Sequence, residues 1–145
     1  MVPTMIVMNI MDEANVLFLE KKFEKAIEKY ELVLHSEPDN VIALNNKGYS
    51  LNKLRNYSKA LTCYDECLKK NPRDKTVLVN KISLFRKIGE LDNALKICDD
   101  LLKDNPNDTV VSYHKLRILK KLNRFSESNI VCNKLLKIYP DNGDV

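Results

Sequence analysis

The segment Glu37-Pro38-Asp39-Asn40 recurs in related forms along this chain of 145 residues. Its proline belongs to a series in which each member lies 34 residues after the previous one: Pro38, Pro72, Pro106 and Pro140. Proline lacks an amide proton and disfavours helical geometry in the residue before it, whereas Asn or Asp can cap the exposed amides of a following helix. Each segment therefore predicts the end of one helix and the start of another, with Asn40, Asp74 and Asp108 as caps.

Other side chains recur at the same spacing and divide the chain into four repeats. A small column contains Ala26, Ala60, Ala94 and Ser128, and two large columns contain Leu34, Leu68, Leu102 and Leu136, and Phe23, Tyr57, Leu91 and Phe125. Apolar residues follow helical periodicity in two halves of each repeat, which predicts two amphipathic helices joined by a turn. The predicted boundaries are an N-terminal segment 1–6 and repeats 7–40, 41–74, 75–108 and 109–142, forming one continuous domain.

The two helices of each repeat are predicted to meet at a short turn. The four turns are Lys21-Lys22, Arg55-Asn56, Gly89-Glu90 and Asn123-Arg124. Gly89 and Asn123 suit the left-handed conformation that commonly ends a helix. Ser58, Asp92 and Ser126 follow the last three turns and are predicted to cap the second helices.

This pattern resembles that of the tetratricopeptide repeat (TPR) family. The second repeat matches best, through Leu44, Gly48, Leu51, Tyr57, Ala60, Tyr64, Cys67 and Pro72. In the third and fourth repeats, Ile82 and Leu116 replace the small residue of the first helix. Cys98 and Cys132 replace the aromatic residue of the second helix, an exchange that is predicted to be compensatory. The resemblance implies an all-α, right-handed α-solenoid of four helix-turn-helix repeats with eight helices.

Composition indicates a soluble helical protein, which we interpret as cytoplasmic. Hydrophobic residues make up 44% of the chain and charged residues 30%, with only 3 glycines. No apolar run approaches the roughly 20 residues of a membrane span, and the apolar start at residues 1–11 lacks the features of a signal peptide. The four cysteines are scattered among apolar neighbours and are predicted to be reduced core residues.

No motif predicts catalysis, a metal site or a cofactor. His35 and His114 lack a nucleophile or carboxylate partner in the pattern, and three glycines could hardly form a glycine-rich phosphate loop. Cys63 and Cys67 share a helix face, yet no second close pair completes four zinc ligands. We therefore predict a non-enzymatic protein with no small-molecule substrate.

By resemblance to the family, the first helix of each repeat lines a concave groove that binds a peptide or protein segment. The expected groove residues are Asn15, Asn45, Asn46, Tyr49, Asn52, Lys53, Asn80, Ser83, Arg86, Lys87, Tyr113, His114, Arg117, Lys120 and Lys121. Asparagine side chains can hydrogen-bond the backbone of an extended peptide. The first repeat has 4 basic and 8 acidic residues but the fourth has 7 and 2, so the groove is expected to become basic and attract an acidic segment.

A five-residue carboxylate clamp that some relatives use is not predicted, because at most two of its positions match, Asn15 and Asn46. Two other functions stay open. One is homodimerisation through the ends of the solenoid. The expected face at the C-terminal end consists of Ile130, Val131, Leu136 and Ile138. Apolar surface at the other end is expected from Met1, Met5, Ile6 and Met8. Tyr49 and Tyr113 among basic residues could stack RNA bases, but the acidic first repeat opposes a long polyanion, so nucleic acid ranks third.

Overall fold

The structure, a computed structural model, describes residues 3–139. These residues form eight α-helices: α1 (Thr4–Leu19), α2 (Phe23–Ser36), α3 (Val41–Lys53), α4 (Tyr57–Lys70), α5 (Lys75–Ile88), α6 (Leu91–Asp104), α7 (Thr109–Lys121) and α8 (Phe125–Ile138). The prediction of an all-α fold is confirmed, since this range contains no strand. None of the described helices has the length and apolar character needed to cross a membrane. Met1 and residues 140–142 of the fourth predicted repeat lie outside the described residues.

The predicted caps of three first helices are confirmed. The side-chain oxygens of Asn40, Asp74 and Asp108 accept hydrogen bonds from the amide three residues further on, at 3.0, 3.2 and 3.1 Å. The helices before them end two residues before each proline, at Ser36, Lys70 and Asp104. Proline and cap together therefore set where one helix pair ends and the next begins.

The second helices begin earlier than their predicted caps imply. They start at Phe23, Tyr57, Leu91 and Phe125. Ser58, Asp92 and Ser126 lie inside the first turn of their helices, so the prediction that they are caps is wrong. Each of these helices starts directly out of a tight turn, and the residue at its cap position forms no side-chain cap hydrogen bond.

The four predicted turns are confirmed, and each contains one residue with left-handed backbone geometry. The φ angles are 61° at Lys21, 63° at Arg55, 83° at Gly89 and 58° at Asn123. The amide after each of these residues donates to the carbonyl five residues earlier, as from Asn56 to Leu51 at 2.8 Å. This bond pattern is the Schellman motif, which satisfies the carbonyl groups left over at a helix end.

Replacing Arg55 with glycine is expected to stabilise the protein by about 0.5–1 kcal/mol, because glycine adopts a positive φ without a Cβ clash. Arg55→Ala keeps the Cβ atom and is the matched control, with no comparable gain. Gly89→Ala is expected to destabilise the protein. No atom of a residue other than Gly89 and its immediate chain neighbours lies within 4 Å of the added Cβ, so the positive φ determines the effect. Urea unfolding measures all three, and equal stabilities of Arg55→Gly and Arg55→Ala would contradict this explanation.

The chain divides into two compact units, of which unit 1 ends at Asn80 and unit 2 begins at Lys81. In unit 1, α1 packs against α2, α2 against α3 and α3 against α4; in unit 2, α6 packs against α7 and α7 against α8. The boundary lies inside α5 rather than between two predicted repeats. The fully buried core includes Ala14, Ala26, Tyr30, Val33 and Ala43 in unit 1, and Ile82, Leu84, Ala94, Cys98, Val111, Ile118 and Leu119 in unit 2.

The close contact between α3 and α4 in unit 1 depends on Gly48, which has no side chain. A Cβ atom at Gly48 would lie 2.8 Å from Cε1 of Tyr64 and 3.1 Å from Cβ of Cys63. Tyr64 is fully buried, so its ring has little room to move aside. One repeat later, Ile82 and Cys98 stand at the positions of Gly48 and Tyr64, and both are fully buried. In unit 1 the small residue Gly48 is therefore paired with the large ring of Tyr64, as expected if the exchange between repeats is compensatory.

Candidate functional site

Amide side chains of the first helices in unit 1 are held by hydrogen bonds. Asn15 Oδ1 accepts a hydrogen bond from the Tyr30 hydroxyl at 2.8 Å. Asn46 Nδ2 donates to the same hydroxyl oxygen at 3.2 Å and to Asn15 Oδ1 at 3.4 Å. Asn80 Nδ2 donates to Asn45 Oδ1 at 3.0 Å. We call the four half-buried asparagines, Asn15, Asn45, Asn46 and Asn80, the amide surface.

These hydrogen bonds orient the amides and still leave part of each one available. Asn15 and Asn45 are bonded through Oδ1 and keep their Nδ2 donors, whereas Asn46 and Asn80 are bonded through Nδ2 and keep their Oδ1 acceptors. Burial raises the pKa of Tyr30, so its hydroxyl keeps the proton that it donates to Asn15. Donors and acceptors presented together match the carbonyl and amide groups of an extended peptide, whatever its sequence.

Three aromatic rings meet at one end of the helices of unit 1. The ring of Phe18 lies 5.3 Å from that of Tyr49 and 6.2 Å from that of Phe23, in edge-to-face arrangements. Lys53 Nζ lies 5.2 Å from the centre of the Tyr49 ring, a cation–π contact. The rings border a cavity of about 330 Å³, the aromatic pocket, whose lining is Phe18, Leu19, Lys21, Phe23, Tyr49 and Lys53. Such a pocket can hold one apolar side chain between cationic groups.

In unit 2, two arginines and a histidine from α5 and α7 come together. Arg86 Nη1 lies 3.2 Å from His114 Nδ1. Arg117 lies three residues after His114 on α7, close enough that its charge affects the pKa values of both Arg86 and His114. We call Arg86, His114 and Arg117 the cationic cluster. Within residues 3–139, neither of the two arginines forms an ion pair with a carboxylate, whereas neighbouring Lys115 Nζ lies 2.7 Å from Asp99 Oδ1.

The environment of the cationic cluster disfavours positive charge. Burial, and then the charge of Arg117, lowers the pKa of Arg86 below its ordinary value. Burial, and then the charges of Arg86 and Arg117, lowers the pKa of His114. His114 is therefore neutral at pH 7, and its Nδ1 can accept a hydrogen bond from Arg86, which assigns the ring proton to Nε2.

Lowering the pH is expected to destabilise the wild-type protein through His114. Its pKa is lower in the folded protein than in the unfolded chain, so the unfolded state binds more protons once the pH falls below about 6.5. His114→Gln is expected to remove this part of the pH dependence, and His35→Gln, at the exposed histidine of α2, is the matched control. Urea unfolding at a series of pH values measures the pH dependence of the free energy of unfolding for each protein. Identical profiles for wild type and His114→Gln would contradict a lowered pKa.

Most of the sequence matches a known protein family. The family described as "Psidin, N-terminal TPR repeats region" matches residues 17–143. The chain belongs to this family. The expected relation to tetratricopeptide repeats is therefore confirmed. No curated protein sequence matches the chain.

Solved structures with the same fold include other TPR proteins. A tetratricopeptide repeat protein from Parabacteroides merdae ATCC 43184 is 21% identical, with a TM-score of 0.86 over 94% of this chain, which spans about half, 55%, of that protein. The first TPR domain of Spaghetti (RPAP3), bound to the HSP90 peptide SRMEEVD, is 17% identical with a TM-score of 0.75, covering 84% of this chain and 97% of that one. The second TPR domain of human RPAP3, in complex with the HSP70 peptide SGPTIEEVD, is 20% identical with a TM-score of 0.71, covering 81% and 98%. At these identities the likeness shows the fold.

The other predicted groove residues of this TPR region differ in exposure. Asn52 departs from the expectation: its side chain is only 5% exposed and lies beside the Tyr64 hydroxyl, so it is a packing residue of unit 1. Ser83 is half-buried on α5. The exposed residues are Lys53, Lys87, Tyr113, Lys120 and Lys121.

The residues predicted to form an oligomer face lie on α8. Ile130 is 69% exposed, Leu136 55% and Ile138 36%, while Val131 is half-buried. In α1, Met5, Ile6 and Met8 are exposed as well, and Met1 lies outside the described residues. Self-association through these surfaces stays a prediction.

Two residues at these surfaces were not found by sequence reasoning. Phe23 was placed in a column of large residues and Tyr30 was given no role, but the Tyr30 hydroxyl joins Asn15 to Asn46 and Phe23 lines the aromatic pocket. A tyrosine at a fully buried position is a usable signal, because its hydroxyl needs a hydrogen-bond partner. No comparable signal separates Phe23 from a core phenylalanine.

The cysteines of this TPR region are free thiols, and three of them belong to the core. Cys63, Cys67 and Cys98 are buried, and Cys132 is half-buried. Burial raises the pKa of Cys67 and of Cys98 to about 12, so both remain protonated and unreactive at neutral pH. Among the described residues no group of three His, Cys, Asp or Glu side chains is arranged to hold a metal ion.

Proposed function

We propose that this TPR region is a non-enzymatic protein-interaction module that binds an extended, acidic polypeptide segment through its first helices. The observation that carries the proposal is the amide surface. Its asparagines are oriented by Tyr30 and by one another, and each keeps a donor or an acceptor. A polypeptide backbone is the ligand that uses such groups without depending on its own sequence.

Charge supports an acidic segment. The chain carries a formal net charge of +4, and the cationic cluster of unit 2 holds two arginines without a carboxylate among the described residues. Exposed Lys120 and Lys121 follow on the last turn of α7. Positive surface of this kind attracts acidic partners, raises their rate of encounter and loses strength in salt.

The aromatic pocket supports an apolar anchor within that segment. Its three rings would surround an aliphatic or aromatic side chain, and Lys21 and Lys53 at its border favour an acidic neighbour in the ligand. Two proteins of the same fold, the RPAP3 domains described above, are bound to peptides that contain both kinds of residue, SRMEEVD and SGPTIEEVD. The proposed ligand is therefore a short segment with an apolar residue and several carboxylates.

Selection from a phage-displayed library of random dodecapeptides tests this function. We expect enrichment of sequences rich in Asp and Glu with at least one apolar residue, and binding of the synthesised peptide that weakens as salt rises. Asn45→Ala combined with Asn80→Ala is expected to reduce its affinity by about tenfold, the effect of roughly one or two lost hydrogen bonds. Asn129→Ala with Asn133→Ala, at exposed asparagines of α8, is the matched control. Absence of acidic sequences, or an unchanged affinity of the first double variant, would contradict the proposal.

A further inference from the structure

The cationic cluster combines features that cost free energy in the protein alone. Arg86 is partly withdrawn from water and faces a second arginine rather than a carboxylate. Partial burial of a guanidinium is normally compensated by an acidic partner or by hydrogen bonds that use most of its donors. Here Arg86 is bonded through Nη1 to one histidine nitrogen, and its other donors have no hydrogen-bond partner among residues 3–139.

The cluster presents donors only. Arg86 donates to His114 Nδ1, so the proton of the neutral imidazole is on Nε2, which is then a donor as well. Arg117 is exposed and adds a guanidinium, which has donors and no acceptor. A group that satisfies all three side chains at once must accept several hydrogen bonds and carry negative charge, which describes a carboxylate or a phosphate.

A purely structural explanation accounts for only part of this arrangement. The contact between Arg86 and His114 could serve to join α5 to α7, and one arginine would suffice for it. Arg117 adds a like charge that disfavours the charged forms of both side chains. Cys98 of α6 also lies close to Arg86, but its thiol is protonated at neutral pH and supplies no compensating charge.

We propose that Arg86, His114 and Arg117 form a subsite for a single oxyanion, the carboxylate or phosphate group of a bound polypeptide. That the oxyanion belongs to a polypeptide rests on the function proposed above, whereas binding of an oxyanion at these three residues can be tested with free anions. Arg86 and Arg117 provide paired N–H groups to the oxyanion, and His114 contributes Nε2–H while it holds Arg86 in place.

The ring signals of the two histidines in NMR spectra provide the test, since the chain has only His35 and His114. Inorganic phosphate and acetate are titrated separately at pH 7, with sodium chloride replaced so that ionic strength stays constant. We expect a saturable shift of the His114 signals and none at His35, which is exposed on α2. In a pH titration, bound phosphate is expected to raise the pKa of His114 by about half a unit or more, because an adjacent negative charge favours the imidazolium.

Variants separate the subsite from general electrostatics. Arg117→Gln is expected to weaken phosphate binding by about tenfold, and Arg117→Lys, which keeps the charge but loses the paired donors, by a smaller factor. Lys137→Gln, an exposed lysine of α8, is the control for loss of one charge. Equal shifts at both histidines, the same shift with chloride alone, or full binding by Arg117→Gln would overturn the subsite. Circular dichroism establishes that each variant is folded.

Two amino-acid derivatives distinguish the source of the oxyanion. N-acetyl-phosphoserine amide presents a phosphate, and N-acetyl-glutamate amide presents a carboxylate. Saturable binding of either one at His114 supports the subsite and identifies the group that it prefers, and failure of both overturns it. If these compounds bind and no acidic peptide does, the proposed function fails and the subsite stands; if the selected peptide binds Arg117→Gln as well as wild type, the subsite fails and the function stands.

Discussion

Replacing Gly48 with isoleucine is expected to destabilise the protein by about 2–4 kcal/mol, the range of severe overpacking in a rigid core. The added Cβ would lie 2.8 Å from Cε1 of Tyr64, whose ring is fully buried. Isoleucine has a better helix propensity than glycine by only about half a kcal/mol, which offsets little of this clash. The expected result is therefore a large loss despite the improved local preference.

Tyr64→Cys is expected to rescue Gly48→Ile, because it removes the ring that the new side chain meets. The double variant reproduces in the second repeat the pair that Ile82 and Cys98 form at the matching positions of the third. Tyr64→Cys alone is expected to cost about 3 kcal/mol or more through the cavity it leaves. Urea unfolding of the four proteins gives the coupling free energy, which is expected to exceed about 2 kcal/mol in favour of the double variant. Single effects that add to within about 0.5 kcal/mol would contradict the compensatory exchange.

Reversing two charges of α7, Arg117→Glu with Lys121→Glu, is expected to weaken binding of the selected acidic peptide by at least about thirtyfold, which corresponds to roughly 2 kcal/mol. Both residues are exposed, so the fold is expected to remain intact. The new glutamates repel the carboxylates of the ligand in addition to removing favourable contacts. Fluorescence anisotropy at low and at physiological salt measures the effect, which is expected to be larger at low salt.

The matched control changes the same total charge on second helices. Lys96→Glu with Lys137→Glu reverses two exposed lysines of α6 and α8. Long-range attraction falls equally in both variants, so their difference reports the local role of α7. Equal losses in the two double variants would mean that net charge alone attracts the peptide, and unchanged binding by Arg117→Glu with Lys121→Glu would exclude α7 from the binding surface.

Much of the fold could be predicted because backbone chemistry at the repeat junctions is local. Proline and the following Asn or Asp determine helix ends through hydrogen bonds within a few residues, as at Pro38 and Asn40, and the structure has those ends where the spacing predicts them. The second helices were predicted less well. Ser58 is a residue type that often caps helices, but α4 begins one residue before it, at Tyr57, directly after the turn at Arg55. Arginine rarely adopts a positive φ, so the residue type at position 55 does not predict this turn conformation.

Less of the candidate site could be predicted, because it depends on which helix faces meet. The family resemblance placed Asn52 among the groove residues with Tyr49, yet its side chain turns toward Tyr64 and is buried. The pairing of Arg86 with His114 joins residues 28 positions apart on two helices, and no spacing within one helix indicates it. The hydrogen bonds of Tyr30 to two asparagines likewise depend on three helices at once.

Site-specific photo-cross-linking of the selected acidic peptide tests most directly that the first helices form the binding surface. p-Benzoylphenylalanine replaces one tyrosine at a time: Tyr49 on α3, Tyr113 on α7, or Tyr139 after α8. Tyr113 and Tyr139 have similar exposure, 50% and 47%, so accessibility alone cannot distinguish them. We expect cross-links from positions 49 and 113 and none from 139. Efficient cross-linking from position 139, with none from the other two, would contradict it.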